Sequence, residues 1–326
     1  LVVILSSGSV ATIFTHGDAD GVSAAALALA ALRLYYGSVN VFFSNPVGLV
    51  NDFIRDAEGD VYIIDIAISE AHAEEFAEVV RGYEGRVTLI DHHPLPMVID
   101  VNRLNVKLIH SLECSASELT FKYFRDALDP DYDRVALYGA IGDYLDHTPW
   151  VVKRLERWDK RQIYFEAGIL ALGLEGSRGM YDFKRSVVEH LSRNWRPSQL
   201  SELTIRALTQ ASSLEKLHEW VRDHVLTKDN VAYVINPPGS LGIAAAYAMG
   251  VTSKPLGVAA RERDGEYVIS LRAERGVINL DRVLRGVVKE LGGSLGGHPW
   301  AAGGRLPKGR FEELLNYLNN LLKREG

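Results

Sequence analysis

One cysteine, Cys114, is all that the 326 residues carry. No disulfide can form within the chain, and a zinc site built from several thiolates is excluded. A reducing, cytoplasmic setting is the expectation that accompanies so little cysteine. Apolar residues make up 47% of the sequence, yet no run of about 20 of them occurs, which argues against a membrane span. The opening Leu1-Val2-Val3-Ile4-Leu5 is apolar but short and lacks the basic flank of a signal peptide. It reads as a buried first strand or staple. A leucine rather than a methionine stands first, consistent with a few native residues preceding it or a misread start. An excess of positive charge is also missing: 36 Lys and Arg face 42 Asp and Glu, for a formal net charge of −6. That argues against a protein gripping nucleic acid mainly by bulk positive charge. It leaves room for a local groove, or for clustered carboxylates that cations neutralise. Repeats and low-complexity segments are absent, and the length is that of two domains.

What is present is a regular alternation. Apolar runs at Val10–Phe14, Val39–Phe43, Val61–Ile66 and Val87–Ile90 read as strands, separated by helical patterns at Gly21–Leu34, Val47–Asp56 and Glu70–Arg81. Strands alternating with helices imply an α/β fold with a parallel sheet. Ser115–Ala127 reads as a helix opened by a capping box, Ser115 with Glu118 three residues on. Val135–Leu145 is helical, and from Trp150 to about Thr227 the pattern stays helical, with a stop and restart at Trp195-Arg196-Pro197. A smaller α/β unit follows: strand Val231–Ile235, helix Leu241–Met249, strands Leu256–Arg261 and Tyr267–Leu271 around the turn Asp264-Gly265, and helix Asp281–Leu291. Gly292 to Gly304 reads as a glycine-rich loop, and Arg310–Lys323 as a closing amphipathic helix. The expected organisation is a first domain over 1–205, a helical linker over 206–230 and a second domain over 231–326.

The residues bearing chemistry stand where strands end. Thr15-His16-Gly17-Asp18-Ala19-Asp20-Gly21 follows the first strand, Asp65 the apolar Val61–Ile64 part of the third, and Asp91-His92-His93 the fourth. Open parallel sheets gather functional groups at the carboxyl edges of their strands. Taken singly, Asp-x-Asp-Gly is a common turn, Asp65 a cap for the next helix, and Asp91-His92-His93-Pro94 a polar loop. Three such groups behind three apolar strands bring carboxylates and imidazoles to one edge. That mixture suits borderline divalent ions such as Mn²⁺ better than Ca²⁺. Bare carboxylates at close quarters repel, which calls for cations. Two ions about 3.5–4 Å apart clamp a phosphate and acidify a water.

His16-Gly-Asp18-Ala-Asp20-Gly, then Asp65, then Asp91-His92-His93, then Gly142-Asp143 resembles the four ordered motifs of the DHH phosphoesterase superfamily. Its members include the single-strand exonuclease RecJ, the nanoRNases and pAp phosphatases, exopolyphosphatases and family II pyrophosphatases. The segment Ser115-Ala-Ser-Glu118-Leu resembles the one between the third and fourth motifs. Gly296-Gly297-His298-Pro-Trp-Ala301-Ala302-Gly303 resembles the GGGHxxAAG signature of the DHH-associated domain, and Ser270-Leu-Arg272 the strand before it. The resemblance implies a parallel-sheet DHH domain joined by a helical segment to a smaller α/β substrate-binding domain. It makes Asp18, Asp20, Asp65, His92 and Asp143 ligands of two divalent ions, Mn²⁺ favoured and Mg²⁺ accepted, with Asp65 bridging. His16 is expected to ligate one ion. Asp91 is expected to orient the neighbouring metal-bound histidine, and His93 to face the scissile phosphate as charge stabiliser or proton donor. Asp146 reads as a solvated helix residue rather than a spare carboxylate.

In the C-terminal motif, glycines let backbone N–H groups approach a phosphate, and Arg272 and His298 are expected to bind the same group together with Gly296 and Gly297. Leu295 stands where the signature has a third glycine, just before Gly296, which implies a differently shaped loop and an altered substrate choice. The implied reaction is in-line attack on phosphorus by a water held between two ions, with the second domain holding the terminal nucleotide. RecJ proteins proper carry further nucleic-acid-binding domains for which these residues leave no room, so compactness resembles the nanoRNase and archaeal RecJ-like groups. Single-stranded DNA or RNA, or short oligonucleotides, are the expected substrates, with replication or repair proteins as expected partners. Lys153, Arg154, Arg157, Lys160 and Arg161 read either as a path for a strand or as a solvated face shared with Glu156 and Asp159. Trp195 and Trp300 read either as base-stacking surfaces or as packed residues. Rival readings are a pAp or cyclic-dinucleotide phosphatase, and a replisome scaffold, which predicts lost ligands. A polyphosphatase or pyrophosphatase is disfavoured by the GGHPWAAG-like segment.

Overall fold

The computed structural model describes residues 9–325. The strand expected at Leu1–Leu5 lies outside the described residues. The chain divides into two compact units, Leu1–Gln210 and Ala211–Gly326.

The first unit runs β1 (Val10–Thr15), α1 (Ala19–Leu32), β2 (Ser38–Phe43), α2 (Leu49–Asp56), β3 (Asp60–Ile64), α3 (Ala73–Arg81), β4 (Val87–Asp91), β5 (Val106–His110), α4 (Ala116–Phe124), α5 (Asp133–Gly142), α6 (Pro149–Leu155), α7 (Lys160–Glu175) and α8 (Tyr181–Ser192). The five strands form a sheet ordered β2-β1-β3-β4-β5, and every pairing is parallel. Alternate residues feed opposite faces, as the two-residue period of a strand requires. Ala11, Ile13 and Ile64 pack with α1, α4, α5, α7 and α8, whereas Phe14, Ile63 and Leu89 pack with α2 and α3. A sheet covered on both faces needs near-continuous apolar strands, and that is what the sequence shows. Because all strands point one way, all their carboxyl ends open on one edge.

α4 opens as read, with Ser115 Oγ accepting from the Glu118 amide at 3.1 Å. The reciprocal half of the box is absent. The buried Glu118 carboxylate instead accepts from Lys122 at 2.5 Å and Thr148 at 3.1 Å.

α9 (Ser201–His224) crosses the division between the units. The stretch expected as helical linker ends in β6 (Leu226–Lys228), which pairs antiparallel with β7 (Val231–Ile235). α10 (Leu241–Thr252), β8 (Leu256–Arg263), β9 (Glu266–Ala273), α11 (Leu280–Leu291), β10 (Ser294–Gly297), β11 (Ala301–Pro307) and α12 (Phe311–Glu325) complete the second unit. Its six-stranded sheet is ordered β10-β11-β9-β8-β7-β6, with β7 and β8 parallel. The segment read as a glycine-rich loop is therefore an antiparallel hairpin, β10 against β11. Glycines masked its alternation. Leu295 is a buried member of the core under this sheet and pairs with Gly304, so its side chain fills the interior rather than reshaping an exposed loop. No helix among the described residues is long and apolar enough to cross a membrane.

Candidate metal centre

Each sequence motif lands at the edge where β1, β3 and β4 end. β1 delivers the loop from His16 to Asp18 and the first turn of α1, which carries Asp20. Asp65 follows β3 directly. Asp91 ends β4, and His92 and His93 come next. Asp143 caps the C-terminus of α5. Three donor groups result: His16, Asp18 and Asp65; Asp65, His92 and His93; Asp20, His92 and Asp143. Within each, the ligand atoms lie within 4.8 Å of one another. Nε2 of His92 stands 3.3 Å from Asp65, 3.6 Å from Asp143 and 4.0 Å from Asp20. All six residues expected as metal ligands are thus brought together.

The surrounding backbone fixes them. Asp18 caps α1, accepting from the Gly21 amide at 3.0 Å, and takes Nδ1 of His16 at 2.7 Å. A side chain at Gly21 would put its Cβ 2.4 Å from the His16 carbonyl and 3.0 Å from Asp65, so only glycine fits there. Asp20 accepts from the amides of Ala116 and Ser117, at 2.7 and 3.0 Å. Those are the first N–H groups of α4, which favour a carboxylate by charge as well as geometry. Asp65 sits at φ +59, a left-handed conformation that aspartate tolerates better than most residues, with its amide held by the Ile90 carbonyl at 3.0 Å.

Electrostatics show what the pocket wants. Burial pushes the Asp65 carboxyl well above its usual range, and the charges of Asp18, Asp20, Asp91 and Asp143 push it further. Burial, then Asp20 and Asp18, raise Asp143 to about 8. Burial also raises Asp20, against the opposing pull of His92, and lowers His92. Carboxylates this crowded hold protons unless a cation takes their place. Carboxylate oxygens mixed with imidazole nitrogens match the donor set of Mn²⁺-type ions. The residues therefore fit a divalent cation.

Asp91 also holds the second histidine. Its carboxylate accepts from Nδ1 of His93 at 2.8 Å and from the His93 amide at 3.2 Å, so it orients His93. Burial disfavours the His93 cation, yet Asp91 outweighs it and the imidazole pKa is raised. His110, at the end of β5, donates from Nε2 to the His93 carbonyl at 2.7 Å. Lys184 of α8 is only 7% exposed, and its ammonium donates to the Gly17 carbonyl between His16 and Asp18. Neither was read from the sequence. The short stretch Val106-Lys107-Leu108-Ile109 ending in His110 places a histidine at a strand end as the other strands do and was available as a signal; nothing in the sequence marks Lys184.

Beyond Asp143 the chain leaves α5 through a Schellman motif. Leu145 donates to the Ala140 carbonyl at 2.8 Å and Tyr144 to Ile141 at 3.1 Å. Tyr144 occupies the left-handed position, φ +59, where glycine is usual and an L side chain costs on the order of 1–2 kcal/mol. Asp146 lies past the helix end, not on it, and accepts from the Tyr164 hydroxyl at 2.8 Å.

In the second unit, Arg272 of β9 donates to the Leu271 carbonyl at 2.9 Å and the Ser270 hydroxyl at 3.2 Å. A Cβ at Gly242 would lie 2.5 Å from its second guanidinium nitrogen, so Arg272 lies across the first turn of α10. Arg272 pairs with Ala301 of β11, which sets it beside the turn of the hairpin. His298 is in that turn, its amide donating to the Ala301 carbonyl at 2.8 Å. Gly297 takes φ +147, and its amide faces Asp281 at 3.4 Å. Arg272, Gly296, Gly297 and His298 thus gather around one end of the β9–β11 ladder. The basic stretch is largely occupied by acids: Arg157 and Arg154 reach Asp133 at 2.5 and 3.6 Å, and Arg161 reaches Asp159 at 2.7 Å. Trp195 is 46% exposed beneath Arg193, and half-buried Trp300 lies under Arg275 at 4.8 Å.

A parallel sheet followed by a mixed sheet is the fold of RecJ-like proteins. A crystal structure of RecJ from Thermus thermophilus in complex with Mn²⁺ aligns over 98% of this chain and 53% of its own, at 17% identity and TM-score 0.69. This chain spans about half the length of that protein. A manganese-bound exonuclease RecJ aligns over 98% of this chain and 91% of its own, at 16% identity and TM-score 0.65. The pGpG-specific phosphodiesterase PggH from Vibrio cholerae aligns over 98% and 100%, at 14% identity and TM-score 0.61. No curated protein matches the chain by sequence. Residues 229–324 match the family model of the DHHA1 domain. That domain match, with the RecJ-like and PggH-like fold, agrees with the resemblance that the motifs carry.

Proposed function

We propose that this chain hydrolyses phosphodiester bonds of single-stranded or short nucleic acid with the help of two divalent ions, Mn²⁺ favoured and Mg²⁺ accepted. The observation that carries the reading is the sharing of ligands. Asp65 and His92 each belong to two of the three donor groups, as adjacent cation positions require. His16, Asp18 and Asp65 would hold one ion, and Asp20, His92 and Asp143, with Asp65 between, the other. Bound there, the ions supply positive charge to phosphoryl oxygens and lower the pKa of a water.

The protein's own groups do the rest. Asp91 fixes His93 and favours its protonated form, so that its far nitrogen can donate to a phosphate oxygen or to the leaving alkoxide. Asp20 is locked by the α4 amides and stays in register with His92. Lys184 holds the His16–Asp18 loop through Gly17. In the second unit, Arg272 and His298 bind a phosphate, with the Gly296-Gly297 backbone close beside it. A cytoplasmic setting and replication or repair partners belong to the same reading.

A second reading, hydrolysis of a dinucleotide or pAp-sized substrate, is favoured by the alignment over the whole length of PggH, a pGpG-specific phosphodiesterase. Digestion of end-labelled DNA and RNA oligomers of increasing length in Mn²⁺, alongside pGpG and pAp, separates the two. Activity rising with length supports the nuclease, and activity confined to the shortest substrates supports the alternative. Cleavage by Asp65→Ala at the parent rate sinks both.

A further inference from the structure

The ligands on the two sides of the centre are held differently. Asp20 is locked by the amides that open α4, and Asp65 and His92 are buried. His16 and Asp18 are the open pair, their side chains 45% and 49% exposed. Behind their loop stands Lys184. Its helix is anchored on two sides. Phe183, Val187, Val188 and Leu191 of α8 pack into the core with α1, and Tyr181 stacks on Phe43 at 5.9 Å, the residue in register with Thr15 at the end of β1. From there the lysine stem runs against the bare face of Gly17, where an added Cβ would stand 2.8 Å from Nζ and 3.4 Å from the lysine Cδ. The ammonium donates to the Gly17 carbonyl, and among the described residues no carboxylate closes an ion pair with it. Burying a lysine without such a partner is unfavourable, and burial lowers its pKa against the pull of Asp18 and Glu175. A methionine would fill the same space without that penalty. What the lysine adds is its hold on the backbone between His16 and Asp18.

We infer that Lys184 is a positioning residue for the ion position of His16, Asp18 and Asp65, and for that position alone. The inference rests on the proposed two-ion reading and divides it. Gly17 stands between His16 and Asp18, so a pinned Gly17 carbonyl fixes the spacing of both. Among the described residues, Lys184 makes no hydrogen bond or ion pair to Asp20, His92 or Asp143, which α1, β4 and α5 carry. The sign of the effect separates position from charge. A cation beside a metal site repels an incoming ion, so loss of its charge alone would tighten binding. Loss of its grip on the loop would loosen it.

The test is Mn²⁺ binding to the metal-free whole chain, followed by calorimetry and by electron paramagnetic resonance, in the parent, Lys184→Met and Lys184→Arg. Lys184→Met keeps an unbranched stem and removes the donor. In EDTA it should melt at or above the parent, because an apolar group replaces a buried charge, which separates a weaker ion from a misfolded protein. The parent should bind two ions and give the spectrum of a coupled pair. In Lys184→Met one of the two should weaken by about 10–100-fold, the range for groups that orient metal ligands, and at limiting Mn²⁺ the spectrum should become that of a single ion. Lys184→Arg, which keeps a donor, should recover the pair. The loss should not add to that of His16→Ala and should add to that of Asp143→Asn. Gly17→Ala, whose methyl would displace the ammonium, gives a second route to the same loss should Lys184→Met not fold. Unchanged affinities in Lys184→Met, tighter binding, or equal weakening of both ions overturns the assignment. A variant that loses one ion from a parent that binds two, with no phosphodiester cleaved by either, keeps the positioning and overturns the proposed activity.

Discussion

In the first unit the candidate groups are acids and histidines, some packed out of solvent and others, His16, Asp18 and Asp143, open to it. Asp20, Asp65, Asp91 and His92 are each no more than 6% exposed, and amides and neighbouring carboxylates fix them before any ligand arrives. In the second unit the candidates are partly exposed: an arginine folded over the start of α10, a histidine in a hairpin turn, and glycines. One site stores repulsion between like charges; the other offers donors and open backbone. Chemistry that needs cations favours the first arrangement, because repulsion among bare carboxylates becomes affinity once an ion enters. Recognition of a phosphate favours the second, where little must be desolvated to bind. The pairing teaches that the two units should fail in different ways when altered.

The largest effect belongs to Asp65. Asp65→Ala removes a donor common to two groups, and cleavage of labelled oligomers in Mn²⁺ should fall below detection. Stability should move the opposite way. With metal chelated, Asp65→Asn should melt above the parent, because it deletes a buried carboxylate held at high energy by its neighbours. The pH dependence follows from the sign of the shift. Asp143 titrates near 8 in the folded protein and near 3.9 when unfolded, so the folded state binds the extra proton. Stability from this group is full below about pH 4 and is lost as pH rises toward 8. Thermal melts in EDTA should therefore decline across that window. Mn²⁺ should restore most at its upper end, where the ligand carboxylates are ionised, and Asp143→Asn should flatten the decline. Asp91→Asn comes next. It leaves His93 without the carboxylate that holds its proton, and kcat should drop by about 10–100-fold, the usual range for such supporting partners. The alkaline limb of the pH–rate profile should move to lower pH. An unchanged profile would break the link from Asp91 to His93.

Much of this was legible in the chain, for physical reasons. The first sheet is buried on both faces, so its strands announce themselves as apolar runs, and a parallel sheet forces their ends, with His16, Asp65 and Asp91, onto one edge. What escaped was contact made at long range. The bond from His93 to Asp91 could not be assigned without knowing which way that imidazole turns. Lys184 reaches Gly17 across 167 residues, which no local pattern encodes. Glycine hid the β10–β11 hairpin, since strands are recognised by side-chain alternation and Gly296, Gly297, Gly303 and Gly304 have none. The strand β6 at the end of the expected helical linker escaped for another reason, being only three residues long.

The second unit sets the smaller effects. Arg272→Ala should raise KM for oligonucleotides by roughly 10–100-fold, as befits charged hydrogen bonds each contributing about 1.5–3 kcal/mol, while kcat falls less. His298→Ala should follow the same pattern more weakly, because one donor is lost in place of a bidentate pair. The mildest functional effect is expected at Leu295, where sequence comparison alone pointed to substrate choice. Its side chain is in the core with Leu284, Val287 and Leu306, on the far side of the ladder from any ligand lying over Arg272. Leu295→Gly restores the family's third glycine but opens a cavity and frees backbone. It should destabilise the second unit by about 2–5 kcal/mol, lowering the melting temperature. KM measured well below that temperature should stay within about twofold of the parent, since no donor to phosphate is altered. A marked change in substrate preference in Leu295→Gly would mean that the hairpin reads its ligand through the core side of the sheet. The division between a face that packs and a face that binds would then be lost.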